Sequence, residues 1–224
     1  MLYVYIKNTS ETFVKRKPNP FRFLSAGLIF FGAILLANAS LPIVLYQIKS
    51  ASFRQNIISP VSSYYVDYSD PGDWFPTAPK LPSSSTKITH YQLSIPKLKI
   101  KSATVEIAGD DLSRSLIHYP GTALPGQYGN AVIFGHSVLP QFFNSQNYKT
   151  IFSTLPSLSK GDEIIVDFDG VAYKYVVINM VEVVPQDISV LEQQYNDRYL
   201  SLITCVPPGT YWHRLIVKSK LESF

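Results

Sequence analysis

The sequence predicts an all-β domain, a barrel or a sandwich, carried behind one N-terminal transmembrane helix. Three observations lead there. From Phe23 to Ile48, 26 residues pass without a charge. From Ile88 onward, short apolar or alternating runs follow one another between turn signals, the pattern of an all-β fold. Helical signals in that region are sparse, confined to Asn147–Leu155 and Val190–Tyr195.

The uncharged run "FLSAGLIFFGAILLANASLPIVLYQI" would extend about 39 Å as a helix, at ~1.5 Å per residue. A bilayer core needs ~30 Å, so residues 23–48 are long enough to span. Lys15, Arg16, Lys17 and Arg22 precede the run, which puts residues 1–22 in the cytoplasm and the rest of the chain outside it. A signal peptide cleaved after "ANA" (Ala37–Ala39) is a second reading, and a buried core helix a third. The first two both export the chain. Charge agrees with this division. Residues 1–54 hold seven Lys and Arg against one acid, leaving 13 basic and 15 acidic residues downstream. The overall charge of +4 therefore belongs to the N-terminus and does not point to nucleic acid.

Residues 49–87 hold Pro60, Pro71, Pro76, Pro79, Pro82 and "SSS", a composition that resists helix and central strand. They are expected to act as a linker spanning about 35 Å on average. In residues 88–224, "YQLSIPKLKIKSATVEI" alternates as a half-buried strand does. "GNAVIFGH" is a short apolar strand framed by glycines. "GDEIIVDFDGVAYKYVVINMVEVV" reads as two strands joined by a hairpin at Asp169-Gly170. "YLSLITC" and "RLIVKSKL" close the series.

Cys205 is the single cysteine, so an intramolecular disulfide is impossible and an exported free thiol stands out. It ends an apolar strand before Pro207, Pro208 and Gly209, a position expected to point into the mouth of a barrel. The alternative is a buried small hydrophobe, the common fate of free Cys. A nucleophilic thiol needs a proton acceptor and a donor for the developing oxyanion. His90, His118, His136 and His213 are the histidines available. His136 ends the strand "AVIFG", while His118 falls in the turn-rich "IHYPGTALPG". Arg214 offers a permanently charged fork of five donors. With one Cys and no HxH or HExxH spacing, the chain has no zinc signature, and GxSxG, Walker and GxGxxG motifs are absent.

"LITCVPPGTYWHRLIV" resembles the signature of the sortase family, and "HYPGTALPGQYGNAVIFGHS" resembles its histidine block. "LSIPKLKI" and "LPSLSKGDEIIVDFDG" match further strands in order, so the resemblance covers Leu93 to Leu221. It implies a closed or partly open β-barrel with one or two short helices. It makes Cys205 the nucleophile, His136 the acid/base and Arg214 the oxyanion- or substrate-binding cation. Thr204, His118 and His213 become substrate-binding or accessory residues. The implied enzyme is a cysteine transpeptidase that cleaves an LPxTG-like sorting signal through a thioacyl intermediate. It passes the acyl group to an amine of a cell-wall precursor or a pilin lysine. No cofactor is implied, and no compact acidic loop speaks for calcium. The expected partners are secreted proteins with such signals, the amine acceptor and the bilayer, with no nucleic acid.

The pattern "TCVPPGTYWHRLIV" resembles the pilin-type (class C) subgroup, which often carries a lid with an Asp-Pro-aromatic motif. Here "SDPGDWFP" offers Asp70, Pro71 and Trp74, with Gly72 and Asp73 displacing the aromatic by two positions. Residues 68–77 are thus a candidate lid or a solvated linker turn, and the subclass stays open. Two rival functions remain. One is a non-catalytic membrane-tethered binding barrel. The other is a different cell-wall Cys hydrolase or L,D-transpeptidase, although its Ser-x-Gly-Cys-x-Arg block is absent. With ordinary pKa values of ~8.5 for Cys and ~6.5 for His, an imidazolium–thiolate pair would be only about 1% populated.

Overall fold

A computed structural model describes residues 20–50, 69–75 and 87–222. Most of the expected basic N-terminus and most of the 49–87 linker, including Pro60, Pro76, Pro79 and Pro82, lie outside the described residues. The chain divides into two compact units, Met1–Ala39 and Ser40–Phe224. Helix α1 (Pro20–Lys49) begins in the first unit and ends in the second. Its stretch Leu24–Lys49 has a mean hydropathy of 2.3, enough in length and composition to cross a membrane.

The second unit holds eight strands: β1 (His90–Ile95), β2 (Ile100–Ile107), β3 (Leu116–His118), β4 (Gly129–Phe134), β5 (Glu163–Phe168), β6 (Val171–Val183), β7 (Arg198–Val206) and β8 (His213–Leu221). They close in the order β1-β2-β3-β4-β7-β8-β6-β5, and closure leaves no sheet edge exposed. β2/β3 and β4/β7 pair in parallel, and the remaining neighbours run antiparallel. The hairpin expected at Asp169-Gly170 is present, both residues taking the positive φ (52° and 75°) that a two-residue turn between twisted strands needs. The short helical turns among the described residues are of the 3₁₀ kind, and Leu155–Ser157 and Ile188–Leu191 are those at the two expected helical stretches. Residues 147–155 form successive i→i−3 turns instead of an α-helix. There Thr150 Oγ donates to the carbonyls of Asn144 and Asn147, competing with the helical ladder.

The barrel wall carries two cores. Leu116, Ile133, Leu202, Leu215 and Val217 belong to the interior cluster, whereas their chain neighbours Ile117, Phe134, Ile203 and Ile216 belong to a second one. Period-two alternation therefore puts the second cluster on the outer face of β3, β4, β7 and β8. Both faces of these strands are buried, which explains why "VIF" and "LSLITCV" read as continuous apolar runs. Something must cover the outer face, and the segment containing Trp74 and Phe75 does so.

His118 lies in β3, not in a loop as the turn-rich sequence around it suggested, and it sits on the interior side of the wall. Its Nε2 lies 3.1 Å from Thr122 Oγ, which itself donates to Tyr119 C=O at 2.7 Å. Thr122 must then accept from Nε2–H, leaving Nδ1 to accept from Tyr91 O–H at 2.8 Å. Burial pushes its pKa down from 6.5 to about 4. The folded state thus resists protonation that the unfolded chain accepts, so stability is complete above about pH 6.5 and is lost as pH falls toward 4. Denaturant titrations should show wild type losing about 3 kcal/mol over that window. His118→Gln, compared with itself across the same window, should lack most of that slope.

Candidate active site

Cys205 and Arg214 face each other directly across β7 and β8. Antiparallel partners share a face, so both side chains stand on the outer side of the wall. This corrects the expectation that Cys205 points into the barrel mouth. The alternation of β7 places it in the outer cluster with Trp74, Phe134 and Ile216.

His136 arrives from β4, the parallel neighbour of β7. The Phe134–Ile203 pairing continues as Gly135 N–H bonds Ile203 C=O at 3.1 Å. Thr204 Oγ then donates to Gly135 C=O at 2.7 Å, and Ser137 Oγ donates to Cys205 C=O at 2.6 Å. His136 is therefore held between two bonds to the residues at and beside Cys205. Its own carbonyl accepts from Phe152 N–H at 3.0 Å. Gly135 is required for this approach, since a Cβ there would overlap Phe152 and Leu116.

Trp74 fills the space among these groups. Its ring centroid lies 5.9 Å from that of His136 and 5.3 Å from the guanidinium carbon of Arg214. Arg214 also donates to Trp74 C=O at 3.2 Å, and to the carbonyls of Tyr211 and His213 at 3.1 and 3.2 Å. Trp74 packs edge-on against Phe134 at 5.4 Å, with Phe75 beside it at 6.0 Å from the same ring. The result is an arginine that is 1% exposed, its guanidinium held against an aromatic face as a cation–π pair.

The local sequence explains how a displaced aromatic reaches this place. Pro71–Trp74 is one 3₁₀ turn, whose three-residue period brings Pro71 and Trp74 onto the same buried side. Asp70 caps it, accepting from Gly72 N–H at 2.7 Å. Gly72 and Asp73 thus form the turn that aims Trp74 inward. Leu112 N–H bonds Ser69 C=O at 3.1 Å and ties the segment to the barrel. Of the two readings of this stretch, the solvated linker turn does not fit the described residues 69–75: Trp74 is wholly buried.

Burial pushes the Cys205 thiol up to about 11, and the nearby Arg214 charge only partly pulls it back. The thiol is accordingly neutral while Trp74 is in place. Once water and substrate replace the indole, the same three side chains would offer a nucleophile, a proton carrier and a cation around one volume.

The other expected residues do not join them. Thr204 points to the interior by alternation and spends its hydroxyl on Gly135. His118 lies on the interior side of β3. His213 turns away from Arg214, and its Nε2 lies 3.9 Å from the buried carboxylate of Glu182, which accepts from Tyr46 O–H at 3.0 Å. Sequence reasoning missed Ser137 and Gly135, although both flank His136 in the quoted block. It also missed Asp111, whose carboxyl is held low first by bonds from Ser113 and more weakly by the charges of Arg114 and His136. No motif marks Asp111. Among the described residues, no three His, Cys, Asp or Glu side chains gather where they could share a metal ion.

The family model of the sortase domain matches residues 93–222. Sortase A of Staphylococcus aureus is 31% identical over 140 residues, covering 55% of this chain and 64% of that protein. Sortase C-1 from Actinomyces oris superposes with a TM-score of 0.55 at 25% identity, over 67% of this chain and 92% of that one. A lid mutant of sortase A from Corynebacterium diphtheriae gives 0.53 at 26% identity, over 84% and 95%. The matched stretches span 53–64% of the length of the curated relatives. With more than half its length matched by the family model, and with the same barrel, this chain belongs to the sortase family.

Proposed function

We propose that this chain is a membrane-anchored cysteine transpeptidase, with Cys205, His136 and Arg214 as its catalytic residues. The observation that carries this reading is that Cys205 shares one buried cluster with Trp74, whose ring lies against His136 and the Arg214 guanidinium. In the reaction, the Cys205 proton passes to His136 and the thiolate attacks the scissile carbonyl of an LPxTG-like sorting signal. Arg214 stabilises the oxyanion of the tetrahedral intermediate. His136 then gives its proton to the departing amine, leaving a thioester on Cys205. An acceptor amine, on a cell-wall precursor or a pilin lysine, loses a proton to His136 and attacks the thioester. The amide product leaves, and the proton returns to sulfur.

The segment around Asp70, Pro71 and Trp74 acts as a lid in this reading. Its indole occupies the volume a substrate carbonyl needs and keeps the thiol dry. The lid mutant among the similar sortases supports the assignment. Export is supported by the apolar stretch Leu24–Lys49. The binding-module alternative is weaker, because an inert core cysteine has no use for a buried cation and a histidine held beside it.

Three variants test these assignments. Cys205→Ala should abolish transfer of an LPxTG-type peptide to an added amine, measured by mass spectrometry, and retained turnover would remove Cys205 from the mechanism. Arg214→Lys keeps the charge but loses the fork, so kcat/KM should fall by about a hundredfold or more. A value near wild type would show that the guanidinium has no part in the chemistry. Trp74→Ala should rehydrate the thiol, move its titration below about 11 and speed alkylation of Cys205 by at least roughly tenfold at pH 8. Unchanged alkylation would show that the indole does not guard the site.

A further inference from the structure

The last turns of α1 belong to the same compact unit as the barrel, and their exposure is one-sided. Tyr46 is 7% exposed and Ser50 is buried, whereas Val44 and Ile48 on the other side remain 50% and 68% exposed. The inward side rests on the barrel through the Tyr46–Glu182 bond and borders an apolar cavity of about 330 Å³. Pro42 and Leu45 line that cavity from the helix, and Pro140, Pro156 and Pro208 from the barrel. The outward side presents uncovered aliphatic groups at the level of these prolines.

Helix length says what covers them. The charge-free run Phe23–Ile48 is 26 residues, about 39 Å. Tilted by the usual ~20°, it projects to about 37 Å, which is a ~30 Å hydrocarbon core plus one headgroup layer. Twenty residues counted from Phe23 fill the core and end at Pro42. The stretch Ile43–Ile48, and the barrel rim packed on it, then lie at headgroup depth.

That rim carries exposed aromatic side chains. Phe142, two residues after Pro140, is 63% exposed, and Tyr211 and Trp212, just after Pro208, are 48% and 56% exposed. The two loops adjoin, because a Cβ on Gly209 would stand 3.1 Å from Leu139. Tryptophan and tyrosine favour the membrane–water interface, where an apolar ring can be buried while its polar atom stays hydrated.

We propose that this rim, with Phe142, Tyr211 and Trp212 at its edge, is a lipid-binding surface that seats the catalytic unit on the headgroup layer of the membrane its own helix crosses. It rests on the reading of α1 as an anchor. Because Arg214 donates to the Tyr211 carbonyl, the seated loop is the one that holds the catalytic cation. The mouth of the site then opens beside the bilayer, suited to reactants that are themselves membrane-bound.

The chain holds two tryptophans, so Trp74→Phe leaves Trp212 as the single indole. The full chain carrying this change is reconstituted into phosphatidylcholine–phosphatidylglycerol vesicles with bromine placed high or low on the acyl chains. Trp212 emission should shift to the blue and fall by roughly half with the high bromine, and by less with the low one, as for an interfacial indole. The wild-type chain should show the same dependence on bromine depth, since Trp74 is wholly buried. If the chain floats with the vesicles and resists alkaline extraction while Trp212 stays unquenched, the lipid surface is refuted and the anchor stands. Quenching by a peptide-borne quencher but not by lipid would refute it as well, giving the rim to a polypeptide. Loss of the chain from the vesicles on alkaline extraction would overturn the anchor and the surface together.

Discussion

Strand β7 is paired on both sides, in parallel with β4 and antiparallel with β8, and the site depends on that double pairing. Register with β8 sets Cys205 against Arg214. Register with β4 brings His136 up at the point where β4 ends. Slipping either pairing by one residue would turn one of these side chains to the interior of the barrel, because strand side chains alternate. Thr204 and Ser137 reinforce the second register through hydroxyl bonds across the β4–β7 seam. Residues that touch no substrate in this account therefore determine where the chemistry is placed.

The same wall creates a burial problem, and its solution shapes the reactivity. Ile117, Phe134, Ile203 and Ile216 form an apolar outer face that would otherwise be wet. Trp74 and Phe75 cover it, and covering it also takes Cys205 and Arg214 out of water. A buried guanidinium is tolerable here because three carbonyls accept from its two terminal nitrogens and the indole face lies against it. The thiol has only the nearby Arg214 charge to offset its burial, so its charged form is disfavoured. In the proposed reading a single indole thus joins stability of the closed state to silence of the nucleophile. In the proposed mechanism the Trp74 segment must leave before catalysis, and apolar burial stabilises its closed position.

Much of this was legible in the residues. The Asp169-Gly170 hairpin, the order of strands and the positions of Cys205, His136 and Arg214 all announce themselves by local pattern or by two long motifs. What escaped was set by face and by distance in sequence. Thr204 and His213, which the family resemblance made accessory residues, sit next to Cys205 and Arg214 in the chain, yet adjacent strand residues point to opposite sides. His118 looked like a loop residue because glycine and proline follow it, but parallel pairing with β2 extends the strand through it. The burial of Trp74 was obscured by a two-residue displacement that the 3₁₀ period of Pro71–Trp74 resolves. Asp111 comes within range of the His136 charge only through the fold, which no local pattern encodes.

The central claim is that Cys205 becomes acylated once Trp74 has left the cleft. Intact-mass and peptide-mapping measurements on chain mixed with an LPxTG-type peptide, quenched in acid before an amine is added, address it most directly. The account predicts a peptide-sized acyl adduct that maps to Cys205, accumulates faster in Trp74→Ala than in wild type, and disappears on addition of an amine. Turnover of the peptide with no adduct on Cys205, or an adduct on another residue, would contradict it.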